Sequence, residues 1–149
     1  MGGQREGTTG YFIQPTIFSG VTENMKIMQE EIFGPVCSIA RFKTEEDAIR
    51  AANSSIYGLA GAVHTNDINT AIRVSSALKA GTVWVYVSLY SLPLIFVLTL
   101  NRNAYNLMHH QLPFGGFKQS GMGRELGEAG IAQYTQTKTV SIRLAGHIF

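Results

Sequence analysis

A single cysteine, Cys37, is present in 149 residues. That excludes an internal disulfide and a cysteine-rich metal site, and it fits a reducing compartment such as the cytoplasm. Charge is also sparse: 15% of residues are Asp, Glu, Lys or Arg, and the net charge of +2 comes from scattered positions. Without a block of Lys or Arg there is no electrostatic footprint for nucleic acid or for an anionic membrane surface. The opening MGGQREGTTG lacks the apolar core of a signal peptide, and Glu6 stands where a myristoylation signal needs Ser or Thr. No internal repeat is visible.

What is present is an ordinary globular composition, 45% hydrophobic, in a chain long enough for one domain with a core. One stretch stands apart. No charge falls between Lys79 and Arg102, and Val83 to Leu100 is almost entirely apolar, with the length of a membrane span.

Local patterns give alternating strands and helices. Gly10 to Phe18 reads as extended, with Pro15 confining it to an edge or an irregular strand. Gly34-Pro35 is a turn before a short apolar strand, Val36 to Phe42. Thr44 followed by Glu45, Glu46 and Asp47 predicts an N-cap and an acidic first turn for a helix running to about Asn53. Gly58 to Val63 is a small-residue strand. Asp67 caps a second helix, in which Ile68, Ala71, Ile72, Ser75 and Leu78 are expected to share a face, with Lys79 and Gly81 as its stop. Thr82 to Val85 is the next strand. After the apolar stretch, PFGGFKQSGMGRELGE holds five glycines and reads as a tightly turning loop, followed by a short helix near Gly127 to Tyr134. Thr137 to Leu144 alternates like a half-buried strand. Strands separated by helices of about a dozen residues imply crossovers on a parallel sheet, so the class is α/β.

Three separated segments, GYFIQPTIF, EEIFGPV and PFGGFKQSGMGRELGE, resemble the aldehyde dehydrogenase family in order and spacing. YGLAGAVHTND and ALKAGTVWV extend the resemblance to nearly the whole chain. It implies the C-terminal, parallel-sheet part of a catalytic domain, incomplete in these residues. The parent would be an enzyme that oxidises aldehydes to carboxylic acids with NAD or NADP through a cysteine nucleophile. Glu31 would accept hydrogen bonds from the nicotinamide ribose hydroxyls, because an ionised carboxylate offers two acceptor oxygens to a vicinal diol. Phe33 would pack beside the nicotinamide end. Taken without the resemblance, Glu30 and Glu31 are a solvated pair before a turn.

Met108 and Phe114 correspond to the family's substrate tunnel and are candidates for apolar contact with the aldehyde; their alternative is a core role. Glu125 corresponds to a carboxylate that relays protons behind the general base in some family members, or else serves the backbone amides of the Gly-rich loop. His109 and His110 are adjacent and are expected to point in different directions, at the tunnel mouth or the surface, and not to ligate a metal. Thr137 to Leu144 resembles the strand that joins subunits in a homo-oligomer, with Gln136 departing from the Glu frequent there.

The family's nucleophile, general base and dinucleotide-binding domain precede everything in these residues. Cys37 is no substitute, since it follows GPV in an apolar strand with no Lys, Arg or His beside it in sequence to lower its pKa. Met1 occupies a place that is mid-chain in the family, which suggests an internal methionine of a truncated gene model. Tyr86 to Arg102, seventeen residues, interrupts a pattern that the family runs continuously as WVN-x-Y. Its codons can supply splice-donor-like, branch-like and terminal AG sequences while keeping the frame, so a retained intron is the expectation. Pro93 and the β-branched and aromatic residues argue against a membrane span here. Alone, the chain is expected to be inert. Two rivals are a non-catalytic interaction protein that joins intact subunits through TKTVSIRL, and a single-span membrane protein, separable by carbonate extraction.

Overall fold

The computed structural model describes residues 2–87 and 107–143. Most of the Tyr86 to Arg102 interruption, residues 88–102, lies outside the described residues, as do the last positions of the terminal segment from 144 onward.

Both long helices form where their caps stand. Helix α2, Glu45–Asn53, starts at Thr44, whose hydroxyl accepts from the Asp47 amide at 3.1 Å. Helix α3, Ile68–Ala77, starts at Asp67, whose carboxylate accepts from the Asn69 and Thr70 amides at 3.2 and 2.9 Å and from the Thr70 hydroxyl at 2.6 Å. Each cap satisfies amides that the first turn leaves without partners. A single turn, α1, Lys26–Gln29, precedes them and carries no sequence signal of its own.

The strands pair in three separate twos. Strand β1, Thr16–Ser19, lies parallel to β2, Val36–Ile39. Strand β4, Ala60–Thr65, lies parallel to β5, Thr82–Val87, with α3 as the crossover packed on both. The third pair is antiparallel: β3, Tyr57–Gly58, meets β6, Phe117–Lys118, inside the Gly-rich segment. The class is therefore α/β with parallel pairs, an incomplete sheet, and one short antiparallel pair that periodicity alone does not show.

Several boundaries move. The expected strand at Gly58 to Val63 is two, because Gly58 turns toward the Gly-rich loop: a Cβ there would lie 2.5 Å from the Lys79 carbonyl oxygen. The strand expected over Gly10 to Phe18 condenses to β1 plus an isolated bridge between Arg5 and Ile13. Strand β5 runs past Val85, pairing Tyr86 with His64 and Val87 with Thr65, so the first two residues of the interruption extend the ladder.

The face of α3 is also rotated from expectation. Ala71 is 1% exposed against β4 and β5, and Val74, Ser75 and Leu78 flank it partly buried, but Ile68 and Ile72 face outward. At 100° per residue these two isoleucines lie on the rim of that buried stripe, where nothing in the described chain covers them. Thr137 to Arg143 has no regular structure and no strand partner among the described residues, with Val140 and Ile142 exposed. An alternating segment becomes a strand only where a sheet edge receives it.

The two helices are held together at both ends. Arg73 grips Glu45 through two bonds of 2.6 and 2.7 Å. Asn53, the last residue of α2, donates to the Ala77 carbonyl at 2.9 Å and accepts from the Lys79 amide at 2.7 Å. Burial is otherwise thin: Val21, Val63 and Ala71 are the only buried hydrophobic residues among those described.

Candidate functional site

The Gly-rich segment folds back on itself because small residues let its strands of backbone touch. A Cβ on Gly115 would lie 2.6 Å from the Gly123 carbonyl oxygen, and one on Gly116 would lie 2.6 Å from Cβ of Ser120. One on Gly81 would land on the Gly115 carbonyl, so the loop is seated directly on the start of β5. Such a loop exposes carbonyls that need donors. Arg124 supplies them, donating to Gly116 at 3.0 Å and Gly123 at 2.6 Å while its guanidinium sits 5.2 Å from the centre of the Phe117 ring. Lys118, at φ 53°, reaches the Asn53 and Ser55 carbonyls at 3.0 and 2.9 Å and so ties the loop to the end of α2.

Phe114 and Glu125 are brought together by this folding. Their backbones form an antiparallel bridge, each amide donating to the other's carbonyl at 2.8 Å. Phe114 is half-buried, and the Glu125 side chain is exposed with no described hydrogen bond to the loop amides; Arg124 and the bridge itself satisfy the loop instead. Beside Glu125 opens a groove of about 840 Å³ lined by His110, Gln111, Leu126, Ile131 and Tyr134. Leu126, at φ 63°, occupies a backbone region costly for a branched side chain. It turns the chain into the short helix α4, Gly127–Ala132, whose Gly127 amide donates to the His110 carbonyl at 2.9 Å. A second pocket of about 350 Å³, on the other side of Glu125, is bounded by Phe114 and the glycines.

Met108 is 51% exposed and lines neither cavity. Its neighbour Leu107 is anchored, accepting from the Trp84 indole at 3.1 Å. His109 and His110 do not diverge: their rings stack at 4.3 Å, because a hydrogen bond from the Gln111 amide to His109 Nδ1 turns the backbone tightly. No group of three metal-ligating side chains occurs among the described residues. Nor is any described helix long and apolar enough to cross a membrane.

Glu31 and Phe33 stand apart from this groove, on the loop between α1 and β2. Glu30 is held by Lys26 at 3.4 Å, leaving the Glu31 carboxylate without a described partner. Phe33, two residues further along the same loop, is 94% exposed. Cys37 is exposed in β2, opposite Ile17. The residues that sequence reasoning missed here are Arg124, Lys118, Leu126 and Tyr134. Arg124 and Lys118 had a signal, as lone cations among closely spaced glycines; Leu126 and Tyr134 had none.

These elements define part of an α/β domain built on parallel strand pairs. Residues 1–140 match the model of the aldehyde dehydrogenase family, and the chain belongs to that family. An aldehyde dehydrogenase from Davidiella tassiana is 64% identical over 148 residues, which cover 99% of this chain and 26% of that protein. Retinal dehydrogenase 2 from Homo sapiens is 50% identical over 143 residues, 96% of this chain and 24% of that one. Among solved structures, the NAD+ complex of aldehyde dehydrogenase from Bacillus cereus superposes with a TM-score of 0.79 at 45% identity, covering 94% of this chain and 25% of that chain. The chain thus spans about a quarter of the length of the relatives it matches.

Proposed function

We propose that these residues are the C-terminal part of an enzyme that oxidises aldehydes to carboxylic acids with NAD or NADP, and that they supply cofactor and substrate contacts but not the nucleophile. The observation that carries this reading is the agreement of sequence and fold, over nearly the whole chain, with an aldehyde dehydrogenase solved with NAD+. Bound NAD or NADP supplies the hydride acceptor. Glu31 accepts hydrogen bonds from the vicinal ribose hydroxyls, and the open Phe33 ring borders the nicotinamide end. Phe114 contributes an apolar wall on the substrate side, and Met108 meets the aldehyde only when the surrounding protein folds it inward. Glu125, exposed and lining both cavities, is read as passing a proton along the groove.

The interruption at Tyr86 to Arg102 is read as a retained intron. Trp84, just before it, and Leu107, beyond it, touch through a 3.1 Å hydrogen bond, so the chain leaves and returns to one place. Without the interruption they are six residues apart, a reach of up to about 20 Å, ample for that contact. Thr137 to Leu144 is read as the strand that joins subunits of a homo-oligomer, and the parent is read as a cytoplasmic protein.

The test is a graft. Replacing the corresponding quarter of the Davidiella relative with this chain, less Tyr86 to Arg102, should give an enzyme that reduces NAD or NADP in the presence of aldehyde. Glu31→Gln in the graft should raise KM for the cofactor more than for aldehyde. A folded graft without cofactor reduction overturns the reading.

A further inference from the structure

Lys118 is one of two described non-glycine residues at positive φ, 53°, a region where a Cβ crowds the following carbonyl. Such a backbone persists only where its surroundings over-determine it. Three consecutive residues do so here, each bonded to the turn that follows α2. The Lys118 ammonium donates to the Asn53 and Ser55 carbonyls at 3.0 and 2.9 Å. The Gln119 amide donates to the Ile56 carbonyl at 3.1 Å, and the Ser120 hydroxyl accepts from the Gly58 amide at 2.9 Å. Beside them the short β3–β6 pair sets Lys118 opposite Tyr57.

The carbonyls that Lys118 takes lie at the end of α2, where a helix leaves carbonyls without amide partners and favours a cation. Among the described residues the ammonium forms no ion pair, so its charge serves those carbonyls. The loop is also closed on itself. Phe114 and Glu125 join its neck with two bonds of 2.8 Å, and Arg124 ties Gly116 to Gly123. Asn53 in turn is bonded to the end of α3 through Ala77 and Lys79. A closed loop moves as a unit, so a shift at the Lys118 anchor displaces Phe114 and Glu125 together.

We infer that Lys118 is a positioning residue for aldehyde binding: its ammonium fixes the seat of the Gly-rich loop on the end of α2, and so where Phe114 and Glu125 stand. The inference rests on the proposed function for the roles of those two residues, and on the loop geometry for the anchor. Lys118 acts through them, since it lines neither cavity. Glu31 and Phe33 lie on the loop between α1 and β2, outside this bonded set, so the cofactor contacts are independent of it.

The test uses the graft of this chain, less Tyr86 to Arg102, in the Davidiella relative. Lys118→Met keeps the stem and removes the donors, and should raise KM for aldehyde about tenfold, the scale of losing hydrogen bonds from a charged donor. KM for the cofactor should stay unchanged. Lys118→Arg, which keeps a cation with several donors, should restore most of the loss. Arg73→Leu, which breaks the remote tie of α3 to Glu45, should lower the melting temperature and leave both KM values unchanged, as a purely structural residue does. If Lys118→Met does not fold, Lys118→Gln takes its place under the same criteria. An aldehyde KM that stays at the parent value, one that rises together with the cofactor KM, or an arginine variant as impaired as the methionine one would overturn the inference. An active graft insensitive to Lys118→Met removes this inference alone, whereas a folded graft without cofactor reduction removes the proposed function.

Discussion

At the scale of single residues, the clearest control lies in side chains that join two elements. Asn53 closes the end of α2 onto the end of α3 with two bonds, and Asn53→Ala leaves a carbonyl and an amide without partners at a cost of about 1–3 kcal/mol. Amide exchange in the last turns of both helices should accelerate together, whereas Thr44→Ala, costing about 1 kcal/mol, should accelerate α2 alone. Gly81→Ala drives a methyl into the Gly115 carbonyl and should cost about 1–3 kcal/mol by overpacking. Its exchange signature is loss of protection in both β5 and the Gly-rich loop.

The carboxylates of Asp67 and Glu45 add a pH dependence. The Thr70 hydroxyl and the amides of Thr70 and Asn69 hold Asp67 below its ordinary pKa. The two bonds from Arg73 hold Glu45 below its own. A depressed folded pKa means that the contribution is fully present above the unfolded value and is lost as pH falls through the folded one. Protection of α3 should therefore be flat at neutral pH and decline only on acidification below the usual carboxylate range. Asp67→Asn should keep the cap and shrink that acid loss; an unchanged acid profile in Asp67→Asn would reassign the sensitivity to other groups.

At the scale of elements, helices were legible and sheet partners were not. Thr44 and Asp67 mark helix starts to the residue, because an N-cap is a local bond between residues two or three apart. Strand pairing is non-local, so nothing near Phe117 announces that it meets Gly58, and nothing near Ile72 says which flank of α3 is covered. The site divides in the same way. The residues of EEIFGPV and the glycine run were visible as motifs, whereas the groove beside Glu125 depends on Leu126 and Tyr134, which carry no motif. The interruption belongs to this scale too. Tyr86 and Val87 continue β5 in register, so deleting Tyr86 to Arg102 asks Asn103 and Ala104 to take their ladder positions opposite His64 and Thr65. Sedimentation of expressed lysates should show more soluble chain after that deletion and no gain of activity. A fall in solubility would make the segment an evolved part of the protein.

At the scale of the whole molecule, these residues are proposed to carry contacts for a reaction whose nucleophile lies elsewhere. Three buried hydrophobic residues among those described are too few to make a self-sufficient domain, and a match to a quarter of each relative points the same way. The most direct measurement is the rate of NAD or NADP reduction by the isolated 149-residue chain across a panel of short and long aldehydes. With nucleophile and base outside these residues, as proposed, positioning alone cannot supply the usual lowering of the barrier. The expected rate equals the blank for every aldehyde, with and without Cys37→Ala. Turnover that disappears on Cys37→Ala would show that the exposed thiol of β2 is a working nucleophile, and would contradict the account.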